Sequence, residues 1–231
     1  MFGATLYLSF TVHMKILRIL VIAFFVWSIG GVILHRFVPV PITPVMIRYC
    51  FSELIDGRSP QLAHKWVPME RISPHLKAAV IASEDQRFYE HNGFDFDQIE
   101  KALEERKQGK RNRGASTISQ QTAKNLFTFG TRTWLRKGLE AYYTFLIELL
   151  WPKERILEVY LNSIEMGPGI FGAEAVAQEH FGRTAENLRR TDCALIAATL
   201  PNPNKFSSKK PSPYMRKRRQ QILRQMRLMG N

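Results

Sequence analysis

The stretch from Gly114 to Asn125 reads GASTISQQTAKN and combines many neutral hydrogen-bonding side chains with little charge. Seven of its twelve residues carry a hydroxyl or an amide, none carries a carboxylate, and Lys124 is its single cation. The preceding stretch, KQGKRNR (107–113), is strongly basic. Hydroxyl and amide groups both donate and accept hydrogen bonds, as sugars require. The pattern indicates a pocket for a hydroxyl-rich anionic ligand; the alternative is a polar helix start capped by Ser116 or Thr117.

The composition of the chain is that of a globular protein with a basic surface. The 231 residues are 45% hydrophobic and 23% charged, which suits one well-buried domain. The formal charge is +13 and the pI is about 10.0. This excess of positive charge implies an anionic partner: a nucleic acid, a phosphate-bearing substrate or an acidic membrane surface.

An apolar segment near the N-terminus predicts a single transmembrane helix over residues 16–38. The sixteen residues from Ile19 to Leu34 carry no charge, and apolar neighbours extend the zone to about twenty residues, enough to cross a bilayer. Arg18 and Arg36 can snorkel to the two interfaces. The alternative, a cleaved signal peptide, lacks a cleavage site of small residues in HRFVPVPITP. Residues 1–15 form a short leading segment and are compatible with a misassigned start codon.

The rest of the chain divides into a proline-containing linker with a membrane-proximal segment (39–71) and a soluble domain (72–231). Helical periodicity dominates and alternating strand patterns are almost absent, so the fold class is mostly α. Ser73 and Asp192 are predicted N-caps of two of the helices, and Cys50 and Cys193 are not expected to pair. The main predicted helices cover residues 73–88, 96–107, 135–150, 153–162, 193–200 and 214–229, and the latter half of the GASTISQQTAKN motif is expected to begin a further helix that runs to about residue 127.

Two acids in apolar helical surroundings are candidates for chemistry. Glu84 lies four residues after Val80 and close to the buried stripe of its helix, where burial would raise its pKa and make it a base near neutral pH. Glu148 lies among Phe145, Ile147 and Leu149, which makes a lone acid costly. Solvated surface acids are the alternative at Glu84, and for Glu140 an ion pair with Arg136 or Lys137 is the simpler explanation.

Five segments, in this order and spacing, resemble the motifs of the peptidoglycan glycosyltransferases, glycosyltransferase family 51. The resemblance covers about residues 72–203, and the single anchor without a following penicillin-binding domain resembles the monofunctional biosynthetic form. One departure is Thr144, which stands where many relatives have alanine. The segments are EDQRFYEHNG (84–93), GASTISQQTAKN (114–125), RKGLEAYYTFLIE (136–148), KERILEVYLN (153–162) and ALIAATLPNP (194–203).

The resemblance implies a lysozyme-like helical domain with a small mobile jaw subdomain that polymerises lipid II into glycan strands. Glu84 then matches the general base, and Glu148 matches a second essential acid on the donor side. Cations hold the diphosphate of the undecaprenyl-linked glycan, while neutral groups position sugars. No cofactor is required, although a divalent cation (Mg²⁺ or Mn²⁺) could assist at the diphosphate. The residues expected to bind substrate are Ser116, Thr117, Gln120, Gln121, Lys124, Asn125, Arg132, Arg136 and Lys137.

The same resemblance predicts the partners and the cellular location. Lipid II is polymerised on the outer leaflet, so we expect an inner-membrane protein with a cytoplasmic N-terminus, a periplasmic catalytic domain and contacts with other cell wall synthesis or division proteins. The tail after Asn204 holds nine Lys or Arg and no acid, which suits anionic headgroups. A nucleic-acid binder lacks support because no base-reading element appears. A peptidoglycan hydrolase of lysozyme-like fold is the nearer alternative, although hydrolysis has no anionic leaving group for the cations to hold.

Overall fold

The structure is a computed structural model that describes residues 2–109, 114–129 and 133–230. It contains two compact units, residues 1–38 and residues 39–231. The first unit is a single helix, α1 (Phe2–Phe37). Its segment His13–Phe37 is long and apolar enough to cross a membrane, and most of its side chains are exposed, as Trp27 is at 83%. Helix α1 is therefore compatible with a single-pass membrane anchor.

The second unit is predominantly helical, as the sequence predicts. Within its described residues it contains nine α-helices and three very short strands. The helices are α2 (Pro44–Ile55), α3 (Pro74–Glu84), α4 (Phe96–Lys107), α5 (Ile118–Phe127), α6 (Trp134–Leu150), α7 (Lys153–Ser163), α8 (Ala173–Phe181), α9 (Arg190–Thr199) and α10 (Pro213–Leu228). The strands are β1 (Ala63–His64), β2 (Glu165–Gly167) and β3 (Ile170–Phe171).

The core lies between two groups of helices. Helix α3 packs against α9 and α10, while α5 packs against α6 and α7. The apolar stripe predicted for α3 is buried at Leu76, Ala79 and Val80. Asn162 fastens α7 to the chain before α3: its Oδ1 accepts a hydrogen bond from the Val67 amide, and its Nδ2 donates to the Val67 carbonyl, each at 2.9 Å. The end of α3 lies beside α5 and α7, to which it is connected by the hydrogen bond from Gln121 to Glu84 and the hydrogen bond from Tyr160 to Gln121.

The small sheet joins the segment before the core to the glycine-rich turn. The strand order is β1-β3-β2; β1 pairs parallel with β3, and β2 pairs antiparallel with β3. Gly169 has φ +69°, and a Cβ atom there would lie 2.3 Å from the Gln61 carbonyl oxygen and 2.5 Å from the Tyr49 hydroxyl. Only glycine allows this approach, which holds α2 against the turn.

Four local features differ from the sequence prediction. Helix α3 ends at Glu84, before residue 88, because Asp85 leaves the helix (φ −159°) and its carboxylate bonds elsewhere. The Ser73 hydroxyl donates to the Leu188 carbonyl and makes no cap. Asp192 lies at the third helical position of α9, where it accepts from the Arg189 amide. Residues 39–71 fold with the second unit, through α2 and β1.

Candidate active site

The N-terminus of α5 organises the site. Thr117 Oγ1 accepts from the Gln120 amide at 3.2 Å, and Gln120 Oε1 accepts from the Thr117 amide at 3.0 Å, which is a reciprocal capping box. Asp85 Oδ2 accepts from the Ile118 amide at 3.0 Å, so a buried carboxylate meets the positive end of the helix dipole. Thr117 and Gln120 therefore stabilise the start of α5. Ser119 and Gln121 are left to form hydrogen bonds with the two candidate acids, Glu148 and Glu84.

Glu84 ends α3 and is the terminal acceptor of a hydrogen-bond chain across three helices. The Tyr160 hydroxyl on α7 donates to Gln121 Oε1 at 3.1 Å, and Gln121 Nε2 on α5 donates to Glu84 Oε2 at 3.2 Å. Burial raises the pKa of Glu84 above its usual value, while the hydrogen bonds from Gln121 and Ser83 and the charge of Arg218 lower it. Burial also raises the pKa of Tyr160 well above 10.0, which keeps its hydroxyl a donor. Glu84 is thus a half-buried, oriented carboxyl group suited to proton transfer.

Asp85 and His91 form a second buried pair next to Glu84. His91 Nε2 lies 2.9 Å from Asp85 Oδ1, and the Gly93 amide donates to His91 Nδ1 at 3.2 Å. An amide that donates to Nδ1 leaves the ring proton on Nε2, so His91 is a donor to Asp85. The sequence prediction did not assign a role to His91. The pair supports the loop that connects α3 to α4.

Glu148 links α6 to α5 and α7. The Ser119 hydroxyl donates to Glu148 Oε1, and Lys153 Nζ lies 2.8 Å from the same oxygen. Lys153 also donates to the His91 carbonyl at 2.6 Å and lies 4.6 Å from the centre of the Phe88 ring. The Glu148 side chain is only 8% exposed. Glu148 is therefore not a lone acid in apolar surroundings, because its carboxylate forms a largely buried ion pair with Lys153.

Gly93 makes this arrangement sterically feasible. It has φ +88°, and a Cβ atom there would lie 2.8 Å from Thr144 Cγ2 and 2.9 Å from Glu148 Cγ. Its carbonyl also accepts a bond of 2.6 Å from the Thr117 hydroxyl. The Thr144 hydroxyl donates to the Glu140 carbonyl in its own helix, so the departure from alanine adds no unsatisfied group.

We expect Gly93→Ala to destabilise the protein by at least about 2 kcal/mol, because positive φ and a methyl clash add. Thermal unfolding of the full-length protein measures this. Gly138→Ala is the matched control, since nothing lies within 4 Å of a Cβ atom at that helical position. Equal melting temperatures for the two variants would contradict the steric role of Gly93.

The first turn of α6 contains the ion pairs that the sequence suggested for Glu140. Arg136 pairs with Glu140 Oε1, and Lys137 Nζ lies 3.1 Å from Glu140 Oε2. Glu140 is buried, whereas the Lys137 side chain is half exposed. Burial and the charge of Arg136 lower the pKa of Lys137. Glu140 therefore holds Arg136 in a defined position.

A cationic cleft of about 240 Å³ opens beside Arg136. Its lining combines three cations with apolar side chains, so it suits an anion attached to a hydrocarbon. The volume is below that of a typical ligand pocket, so it accommodates part of a ligand. The lining residues are Pro44, Val45, Arg48, Lys124, Thr128, Phe129 and Arg136.

Comparison with known proteins decides the family. The sequence profile of the transglycosylase family matches residues 52–227. The chain belongs to the transglycosylase family. It is 59% identical over 218 residues to a biosynthetic peptidoglycan transglycosylase of Bacteroides thetaiotaomicron, covering 93% of this chain and 88% of the relative. A protein of the same name from Bdellovibrio bacteriovorus is 54% identical (88% and 81% covered), and one from Pseudomonas aeruginosa is 51% identical (88% of each).

The predicted binding residues of this transglycosylase fall into three groups. Lys124 and Arg136 line the cleft, whereas Lys137 pairs with Glu140 and is not among the lining residues. Thr117 and Gln120 cap α5, and Gln121 holds Glu84. Ser116 is exposed, Asn125 is buried with its Nδ2 unbonded to any described residue, and Arg132 lies outside the described residues.

Sequence reasoning did not identify Ser119, Lys153, Gly93 or Arg48. Lys153 could have been suspected, because it follows Glu148 closely across the break at Pro152. Ser119 belongs to the hydroxyl-amide motif but has nothing local to distinguish it from its neighbours, and Gly93 and Arg48 lack a local signal because their partners are distant in sequence.

The described residues do not offer a ligand set for a divalent cation at the cleft, because none of the lining side chains is an acid. Asp85, His91 and Asp95 place ligand atoms within 4.8 Å of one another. Those atoms are already hydrogen-bonded: His91 Nε2 carries a proton, and Asp95 Oδ1 accepts from Arg87 and from the Gln98 amide.

Proposed function

We propose that the protein polymerises lipid II into the glycan strands of peptidoglycan. The observation that carries this is that α5 serves both parts of the site: its Gln121 orients the half-buried Glu84 at the end of α3, and its Lys124 lines the cationic cleft. Synthesis needs a base for the acceptor hydroxyl and cations for a diphosphate leaving group. Hydrolysis would not use the cations.

In the proposed reaction the Glu84 carboxylate takes the proton from the 4-hydroxyl of the acceptor GlcNAc. The oxygen attacks the anomeric carbon of the donor MurNAc, the bond from that carbon to the diphosphate breaks, and a β-1,4 bond forms with inversion. Undecaprenyl diphosphate leaves with the bonding electrons. Lys124 and Arg136 stabilise the charge that grows on it, and Arg132 is expected to join them.

The donor-side assignment of Glu148 stays a prediction, and its contacts suggest how it acts. Both Ser119 and Lys153 bond to Glu148 Oε1, so Glu148 fixes α5, α6 and α7 relative to one another. We propose that it is a positioning residue. Glu140, which holds Arg136, is the acid of α6 linked to the cleft.

The location follows from the substrate. We propose an inner-membrane protein whose N-terminus is cytoplasmic and whose catalytic domain is periplasmic, where lipid II is polymerised. Other proteins of wall synthesis or division are proposed partners.

Incubation of the detergent-solubilised full-length protein with labelled lipid II tests the function. We expect a polymer that lysozyme digests, together with released undecaprenyl diphosphate. If the protein leaves lipid II intact and cuts preformed glycan strands, the function is hydrolysis and the proposal fails.

Gln121→Leu tests the support of the base. The substitution removes a hydrogen bond that stabilises the Glu84 carboxylate, so the pKa of Glu84 rises further. Because the carboxylate is the active form, the acid limb of the kcat/KM profile should move to higher pH. Gln86→Leu is the matched control, since Gln86 bonds to the Ala82 carbonyl. Identical acid limbs in the two variants would rule out this role for Gln121.

A further inference from the structure

The third cation of the cleft, Arg48, comes from α2 and lies outside residues 52–227, which the family profile matches. Arg48 is exposed and forms no ion pair within 4.0 Å with any described residue, although its charge acts on the carboxylate of Glu165 from a longer distance. Arg136, in contrast, is paired with Glu140. The cleft therefore contains a cation whose charge no described acid neutralises at contact distance.

The position of Arg48 is fixed by the packing of α2. Thr43 caps α2 through its side chain and is buried, as is Met46. Tyr49, the next residue after Arg48, contacts the Phe171 ring with 6.0 Å between centroids, and its hydroxyl approaches the Gln61 carbonyl at 3.4 Å. Gly169 admits this ring. Arg48 is thus held at the cleft by a helix anchored on both sides of it.

The chemistry of the lining defines the ligand. Arg48, Lys124 and Arg136 offer charge-assisted hydrogen bonds to phosphate oxygens. Pro44 and Val45, on the same helix as Arg48, and Phe129 offer apolar contact. A phosphate next to a hydrocarbon chain fits this combination, and both an isoprenyl diphosphate and a phospholipid headgroup have that chemistry.

We infer that Arg48 binds the diphosphate of the lipid-linked substrate together with Lys124 and Arg136, the other two cations that line the cleft. This inference rests on the proposed function. The helix that follows the membrane-spanning segment along the chain then takes part in substrate binding, and that helix contributes both the cation and apolar surface beside the diphosphate.

The test compares Arg48→Gln with Lys101→Gln in the full-length protein. Lys101 is exposed on α4 and does not line the cleft, so both variants lose one surface charge. In non-ionic detergent we expect Arg48→Gln to raise KM for lipid II and to weaken binding of farnesyl diphosphate roughly tenfold. Binding of farnesol should not change, and Arg48→Lys should restore most of the affinity.

Failure of this inference and failure of the proposed function would give different results. Equal KM and equal farnesyl diphosphate affinity in the two glutamine variants would overturn the inference. So would a defect that appears only in phosphatidylglycerol vesicles and not in phosphatidylcholine vesicles, because the ligand would then be a headgroup. If the wild-type protein forms no polymer from lipid II, the proposed function fails. The farnesyl diphosphate measurement would then still decide whether Arg48 binds a diphosphate.

Discussion

Glu84→Gln is expected to reduce lipid II polymerisation by at least about 10²-fold, and up to about 10⁴-fold, while the protein stays folded. The amide keeps an oxygen that can accept from Gln121 Nε2, but it cannot take a proton from the acceptor hydroxyl. Initial rates at saturating lipid II measure the loss. Farnesyl diphosphate binding should remain, because the cleft lining does not include Glu84.

Stability provides the control for this variant. Burial raises the folded-state pKa of Glu84, so its protonated form favours the fold, and that stability is lost as pH rises through the folded pKa. At neutral pH the half-buried carboxylate therefore costs stability, and glutamine should leave the melting temperature unchanged or raise it. Normal polymerisation by a folded Glu84→Gln protein would exclude Glu84 as the base.

Glu148→Gln is expected to lower both stability and activity. It leaves the Lys153 ammonium, whose side chain is 17% exposed, without its carboxylate. Loss of one partner of a largely buried pair costs about 3–5 kcal/mol, or roughly 6–20 °C in melting temperature. Glu158→Gln is the matched control for activity: its ion pair with Arg155 is similarly buried but lies within α7, so its loss should lower stability without moving α5 or α6.

A double variant separates positioning from chemistry at Glu148. Replacing the pair by apolar residues, Glu148→Leu with Lys153→Met, removes the uncompensated charge. If Glu148 only positions the helices, the double variant regains stability and is at least about tenfold more active than Glu148→Gln. A stable double variant as inactive as Glu148→Gln would instead mean that Glu148 touches the substrate.

Local patterns were sufficient for most helices and for the position of Glu84. The bounds of α4 and the C-terminal end of α5 agree with prediction, because periodicity and capping residues are close in sequence. The end of α3 was predicted too late, since Asp85 bonds to Ile118 and His91 and leaves the helix. Helix propensity could not reveal that Asp85 bonds to these partners instead of continuing the helix, because one of them, Ile118, lies 33 residues away.

The site was less predictable than the fold. The hydroxyl-amide motif was expected to bind sugars, yet several of its groups serve the protein: Thr117 and Gln120 cap a helix, and Gln121 orients Glu84. A sequence shows which groups can form hydrogen bonds but not which ones are already satisfied. Arg48 was hidden for a related reason, since only the packing of α2 brings it to the cleft.

The pH dependence of kcat/KM for lipid II, measured with the wild type and Glu84→Gln, tests the central claim that a desolvated Glu84 carboxylate is the base. We predict that the wild-type rate falls on acidification with an apparent pKa above the usual 4.5 of glutamate. The small residual rate of Glu84→Gln should lack this limb. An identical limb in the variant, or its absence in the wild type, would contradict the account.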